Sequence, residues 1–303
     1  MELSTIIKKE SKEYPKLLAQ IGDAPKQLYY KGNWEGIFSA EGGSASGGEK
    51  CLAVVGTRRM TSYGKRITEQ IVGEVAAAGV TIVSGFMYGI DATAHEAAVR
   101  IGGKTIAVMP CGIDVVHPEY QADLYQEILD TGGLVISEYE GTHPAVHWTF
   151  PRRNRIVAGL SKATLVVEAG EGSGALITAN LARKYGRKVF AVPNPLTSAV
   201  SQGVTQLLKE GATVVGGAED ILQYYGLRCR RGDSPSFKGR SVPPRRVEGE
   251  LEQKIVEQLA KQPLHIDELA RKIQTTSAQL GAAISILQLE GHITEEQGKL
   301  YVV

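Results

Sequence analysis

Residues 51–85 read CLAVVGTRRMTSYGKRITEQIVGEVAAAGVTIVSG. An uncharged apolar run, 51–56, stops at Gly56, and a second run, 81–85, stops at Gly85. The stretch between them, about 62–79, carries apolar residues at helical spacing. An apolar strand, an amphipathic helix and another apolar strand make a βαβ unit, whose two strands lie parallel.

The same alternation continues along the chain. Further strands are expected at 105–109, 134–138, 163–169, 188–192 and 212–215. Helices are expected at about 91–101, 120–131, 152–160, 174–186, 202–210 and 218–225. Strands apolar along their whole length belong to a sheet covered on both faces. Gly56, Gly85, Gly112 and Gly170 follow strands, and in an open α/β sheet the loops beyond the carboxyl ends of strands hold the ligand. The fold class is therefore α/β: an extended Rossmann-like domain with a mainly parallel sheet, over residues 1–226. Its first fifty residues form an N-terminal extension with a short helix, a turn and a strand in EYPKLLAQIGDAPKQLYYKGN, then a Gly/Ser-rich loop at 41–50.

After Tyr225 the composition changes. Residues 227–247 carry seven Arg or Lys against Asp233, a balance of +6, and three prolines, which reads as a basic flexible linker. Residues 248–303 read as three helices and a hairpin turning at Gln297-Gly298, a small C-terminal winged-helix domain, with Ile266, Leu269 and Ile273 facing inward. Its third helix, 276–290, has no Lys or Arg, and the unit carries five basic residues against nine acids. That balance disfavours reading duplex DNA and favours a protein contact.

The chain has 303 residues, 43% hydrophobic and 22% charged, with a formal net charge of +1. These values fit an ordinary globular protein and exclude a uniformly basic nucleic-acid binder, though not a local basic groove. Cys51, Cys111 and Cys229 lack CxxC spacing, so neither a disulfide framework nor a zinc site is expected. No apolar run has the length of a membrane span, and the expected location is cytoplasmic.

Three segments are suited to an anion. Gly56-Thr57-Arg58-Arg59 joins the first strand to a helix opening at Thr61-Ser62-Tyr63-Gly64. Gly170-Glu171-Gly172-Ser173-Gly174 again joins a strand to a helix, without the later acid that would hold a ribose, so a nicotinamide cofactor is not expected. Phe150-Pro151-Arg152-Arg153-Asn154-Arg155 places three arginines at the expected start of a helix, with no acid at i,i+4. They would either grip phosphate or pair with distant acids. Asp91 and His95 stand at helical spacing, which suits a capping Asp bonded to a packing His better than a catalytic pair. His143 and His147 lack a third ligand, and no nucleophile sits in a recognisable setting, so no metal and no catalytic residue is assigned.

Taken together and in order, EYPKLLAQIGDAPKQLYYKG, AVVGTRRMTSYG, TIVSGFMYGIDATAHEAA, GGKTIAVMPCGID, ISEYEGTHP, FPRRNRIVAGLSKATLVVEAGEGSGALITANLARKYGRKVFAVP and QGVTQLLKEGA resemble the DNA-processing protein A family (DprA, also called Smf). The resemblance covers about residues 11–215 and extends to the winged helix. It implies a non-catalytic protein without a cofactor that binds single-stranded DNA, dimerises through the Rossmann domain, protects incoming DNA and loads RecA recombinase in natural transformation. A single-strand-binding protein is a further implied partner, and a housekeeping recombination role is the variant reading. The implied DNA contacts are Gly56, Thr57, Arg58, Arg59, Tyr88, Lys104, Phe150, Arg152, Arg153, Asn154, Arg155, Ser173 and Gly174, with Arg58 foremost. The chain departs from the family pattern at Tyr88, where a basic residue is frequent, and at Glu119, where a lysine is common. Asn194-Pro195 replaces the usual Gly-Ser. A nucleotide-processing, phosphoribohydrolase-like Rossmann enzyme is the alternative, disfavoured because the chain lacks the Pro-Gly-Gly-x-Gly-Thr loop of those enzymes.

Overall fold

A computed structural model describes residues 4–38, 49–228, 249–262, 264–289, 292–296 and 298–302. Most of the Gly/Ser-rich stretch, the basic segment from 229 to 247, Cys229 and Gln297 lie outside the described residues. The chain divides into two compact units, Met1–Gly239 and Arg240–Val303.

Seven strands of the first unit form the parallel body: β3 (Cys51–Val55), β4 (Thr81–Ser84), β5 (Thr105–Gly112), β6 (Leu134–Tyr139), β7 (Ala163–Val166), β8 (Lys188–Ala191) and β9 (Thr213–Val214). Two more, β1 (Thr5–Lys8) and β2 (Gln27–Gly32), complete a sheet ordered β1-β2-β6-β5-β4-β3-β7-β8-β9. The sequence reading contained neither β1 nor the short helix α2 (Trp34–Phe38). β2 pairs antiparallel with β6, Tyr29 opposite Ser137, and β1 pairs antiparallel with β2, Thr5 opposite Tyr30. The N-terminal extension thus covers the edge of β6, which would otherwise expose unpaired backbone groups.

Alternate residues of each central strand feed opposite layers, as the period of two requires. Cys51, Ala53 and Val55 pack with α6 (Thr149–Leu160), α7 (Gly174–Lys184) and α8 (Gln202–Lys209). Leu52 and Val54 pack with α3 (Ser62–Ala77), α4 (Ile90–Arg100) and α9 (Ala218–Tyr224). Helix α5 (Ala122–Asp130) covers the β5–β6 end, where Tyr125 and Ile128 meet Ala107 and Val135. The short α1 (Lys16–Ala19) places Leu18 against α6, and Leu18 lies 2.8 Å from where a Cβ on Gly159 would stand.

The second unit has the winged-helix pattern. Helices α10 (Glu250–Lys261), α11 (Ile266–Ile273) and α12 (Ser277–Leu289) enclose Ile255, Leu259, Leu269, Leu280, Ile284 and Leu287. The strand β10 (Leu264–His265), absent from the sequence reading, joins β12 (Lys299–Val302) and β11 (Ile293–Glu296) in a sheet ordered β10-β12-β11. Leu269 is buried and Ile273 partly so, but Ile266 is exposed, against expectation. As the first residue of α11 it projects toward the helix N-terminus and past the core.

Candidate nucleic-acid interface

The strand order reverses between β3 and β7: the chain runs from β3 through β4 and β5 to one side, and from β7 through β8 to the other. Connections leaving the carboxyl ends of two such neighbours diverge to opposite faces and leave a crevice between them. Here the crevice is a cavity of about 820 Å³, lined by Gly56 to Arg59 after β3, Gly85, Tyr88 and Asp91 after β4, Phe150, Arg153 and Asn154 of α6, and Gly170 to Ala175 after β7.

A buried carboxylate holds the first loop. Glu168 accepts from the Thr61 backbone N–H (2.9 Å) and from Thr61 Oγ1 (2.5 Å), and its own carbonyl accepts from Thr57 N–H (2.7 Å). Thr61 Oγ1 in turn accepts from Gly64 N–H (3.1 Å) and caps α3. This bracing depends on β3 and β7 being neighbours in the sheet.

Arg58 is exposed at the cavity mouth, between two rings. Its guanidinium carbon lies 5.6 Å from the Tyr88 ring centroid and 5.3 Å from that of Phe150. Stacked guanidinium on aromatic faces keeps its charge while losing rotational freedom. Tyr88 is itself 42% exposed, and Phe150 also meets His117 edge-on at 5.7 Å. Arg59 is exposed beside Arg58, its N–H bonded to Thr57 Oγ1 (3.1 Å). Ser173 caps α7 by accepting from Ala175 N–H (3.4 Å), and Asn154 Nδ2 reaches the Gly174 carbonyl (3.5 Å). Glu119 is exposed in a short 3-10 turn, Glu119–Gln121.

The arginine cluster of α6 divides in two. The helix starts at Thr149, so the arginines lie a turn inside it rather than at its N-terminus. Steps of 100° per residue send Arg153 one way and the i,i+3 pair Arg152 and Arg155 another. Arg153, 4% exposed, donates to the carbonyls of Gly85 and Val108 beneath the cavity. Burial lowers its pKa to about 10, against the favourable charge of Asp91, so it stays a cation at neutral pH. Arg152 and Arg155 instead share Glu138: Arg152 Nε donates to Oε2 at 3.2 Å and Arg155 Nη2 to Oε1 at 2.6 Å. Arg155 also donates to the Asp23 carbonyl (2.7 Å). The two therefore have acidic partners, supplied by β6 and the N-terminal extension, and they border a separate recess with Asp23, Lys26 and Gln27.

Two further expectations are corrected. Gly89, not Asp91, is the cap residue of α4, and His95 Nδ1 bonds Thr105 Oγ1 (2.7 Å) rather than Asp91. Burial raises the Asp91 pKa to about 6, countered by Arg153, and lowers that of His95 to about 3. Lys104 does not join the cavity. It precedes β5, so it stands at the amino end of the parallel strands, and its ammonium donates to the Thr131 carbonyl (2.7 Å). Among the described residues no group of three His, Cys, Asp or Glu could hold a metal ion, and no helix is long and apolar enough to cross a membrane.

Sequence reading missed Trp148, which is 51% exposed just before α6. In the sequence it is one more large apolar residue, two before Phe150, which an apolar periodicity cannot distinguish from core.

The fold and the crevice define an extended Rossmann-type α/β protein with a loop-built pocket at the switch point and a winged helix further along the chain. Residues 5–226 match the family described as DNA recombination-mediator protein A, and residues 240–299 match the DprA winged helix domain. The chain belongs to the DNA recombination-mediator protein A family. It is 40% identical over 218 residues to Protein Smf of Escherichia coli, covering 72% of this chain and 56% of that protein's length. It is 39% identical over 209 residues to the DNA processing protein DprA of Streptococcus pneumoniae, covering 69% of this chain and 70% of that one. The crystal structure of the S. pneumoniae protein superposes with a TM-score of 0.65 at 37% identity, over 73% of this chain and 74% of that one. A Helicobacter pylori DNA processing protein A structure, described for its single-stranded DNA binding mode, gives 0.62 at 30% identity, over 73% and 94%.

Proposed function

We propose that the switch-point cavity binds single-stranded DNA without sequence preference. The observation that carries this reading is Arg58, a solvent-facing cation held between the exposed Tyr88 ring and the partly exposed Phe150 ring. A phosphate can meet the guanidinium, and unstacked bases can lie on rings, which every base can do. Arg59 adds charge at the mouth, Gly56 and Gly174 bring loop amides close enough to serve a phosphate, and the Thr57 and Ser173 hydroxyls, which accept from Arg59 N–H and Ala175 N–H, keep a proton to donate. Asn154 completes the wall. Arg153 shapes the floor, and Arg152 and Arg155, already paired, position α6. Lys104 is left out of the contact set. The single-stranded DNA binding described for the H. pylori relative supports the reading.

The wider role follows the family. The protein acts by binding rather than by catalysis and needs no cofactor. It protects single strands, works as a homodimer through the Rossmann domain, and hands DNA to RecA recombinase in the cytoplasm, with a single-strand-binding protein as a further partner. Residues 1–226 carry the DNA site, 227–247 link, and 248–303 serve partner contact. Fluorescence anisotropy with a labelled oligothymidine and a duplex of the same length tests the core of this. The single strand should bind more tightly, with affinity falling as salt rises. Equal affinity for both, or no binding, would overturn it.

A further inference from the structure

Resting on that reading, we infer a second contact for the strand: an aromatic platform centred on Trp148 that takes the base of a nucleotide leaving the cavity. Trp148 and Phe150 flank Thr149, whose buried hydroxyl accepts from Val146 N–H (3.2 Å) and donates to the Val146 carbonyl (2.8 Å). That pin fixes both rings at the start of α6, with Phe150 in the cavity wall and Trp148 outside it. Behind Trp148, Tyr139 and His143 stack at 4.6 Å with planes 16° apart, and each meets the indole edge-on, at 6.0 and 6.3 Å. Arg152 lies 5.7 Å from the indole centroid and is itself tied to Glu138. The indole is thus held by Arg152 over its ring and by two rings nearly perpendicular to it, yet is 51% exposed, a costly arrangement for so large an apolar group unless something covers it.

The platform's chemistry differs from the cavity's. Its nearest cations, Arg152 and Arg155, share Glu138, so little net charge faces the strand here. Stacking, not phosphate neutralisation, would hold the nucleotide. This predicts a division of labour: the cavity sets the salt dependence, and the platform sets how affinity grows with strand length.

The chain has two tryptophans, and Trp34 is 5% exposed in the core, so the fluorescence change on binding reports Trp148. Oligothymidine of about a dozen nucleotides, long enough for one binding site, should quench the emission of the wild type and leave Trp148→Phe unquenched while that variant keeps near-normal affinity. Trp148→Ala should bind the long strand roughly tenfold more weakly, with an unchanged salt slope and an unchanged affinity for a dinucleotide. Strand binding without quenching, or Trp148→Ala binding the long strand as tightly as the wild type, overturns the platform and leaves the cavity reading intact. Absence of strand binding by the wild type overturns both.

Discussion

The guanidinium carbon of Arg58 stands 5.3 Å from the centroid of the Phe150 ring, although the two residues are brought from a loop after β3 and from the first turn of α6. The contact ties the two walls of the cavity together and fixes the direction of its exposed cation. Replacing the ring by an aliphatic side chain keeps apolar volume but removes the face that orients the charge. Phe150→Leu should therefore weaken single-strand binding by about 1 kcal/mol, roughly fivefold, with Tm little changed. Isothermal titration beside a thermal melt separates the two effects.

Glu138 carries two arginines, and its side chain is only 14% exposed. Glu138→Ala would leave Arg155, 9% exposed, without that partner. Stability should fall by about 3 kcal/mol, read as a lowered denaturant midpoint with an unchanged m-value. A loss below the error of the measurement would mean that Asp23 alone satisfies Arg155.

Gly89 has φ +80°, and a Cβ there would stand 2.4 Å from the Thr57 carbonyl oxygen and 2.8 Å from the Arg58 Cα. These are backbone atoms, so the Arg58 loop itself must move. Gly89→Ala should cost more than about 1 kcal/mol and reduce oligonucleotide affinity although every contact residue is retained. Hydrogen exchange should show the change concentrated in residues 56–61.

Asp91 and His95 impose opposite pH dependences. The folded pKa of Asp91, about 6, exceeds the ordinary aspartate value of 3.8, so its stabilising contribution is present below the lower value and is lost as pH rises through 6. The folded pKa of His95, about 3, lies below 6.5, so its contribution is present above 6.5 and is lost as pH falls. Thr105 Oγ1 donates to the Ile82 carbonyl (3.1 Å), which leaves it to accept from His95 Nδ1, and the buried Nε2 has no partner for an added proton. Between pH 4 and 6 the two slopes, each about 1.4 kcal/mol per pH unit, oppose one another. Calorimetry should show Asp91→Asn losing stability faster than the wild type as pH drops through that range, and His95→Gln losing it more slowly. Parallel profiles would contradict the assignment.

The parallel body was legible because its strands are near-continuous apolar runs and several are followed by glycine, as at Gly56 and Gly85. The cavity loops followed from strand polarity, which puts Arg58 and Ser173 at one end of the sheet. The same rule speaks against Lys104, which precedes its strand, yet the family resemblance carried it into the expected contact set. What sequence could not supply was pairing across the fold. Glu138 lies far from Arg155 along the chain and meets it only because β6 and α6 sit side by side. The start of α6 was misplaced because Trp148 offers no side-chain cap to mark it, and β1 was missed because a four-residue edge strand shows almost no period.

The central claim is that Arg58, rather than basic residues elsewhere on the domain, makes the phosphate contact. Anisotropy titrations of oligothymidine over a range of salt, with wild type, Arg58→Ala and Lys104→Ala, test it most directly. The account predicts that Arg58→Ala weakens binding and reduces the magnitude of the salt slope by about 0.7, while Lys104→Ala follows the wild-type line. An Arg58→Ala protein with wild-type affinity and slope would contradict it.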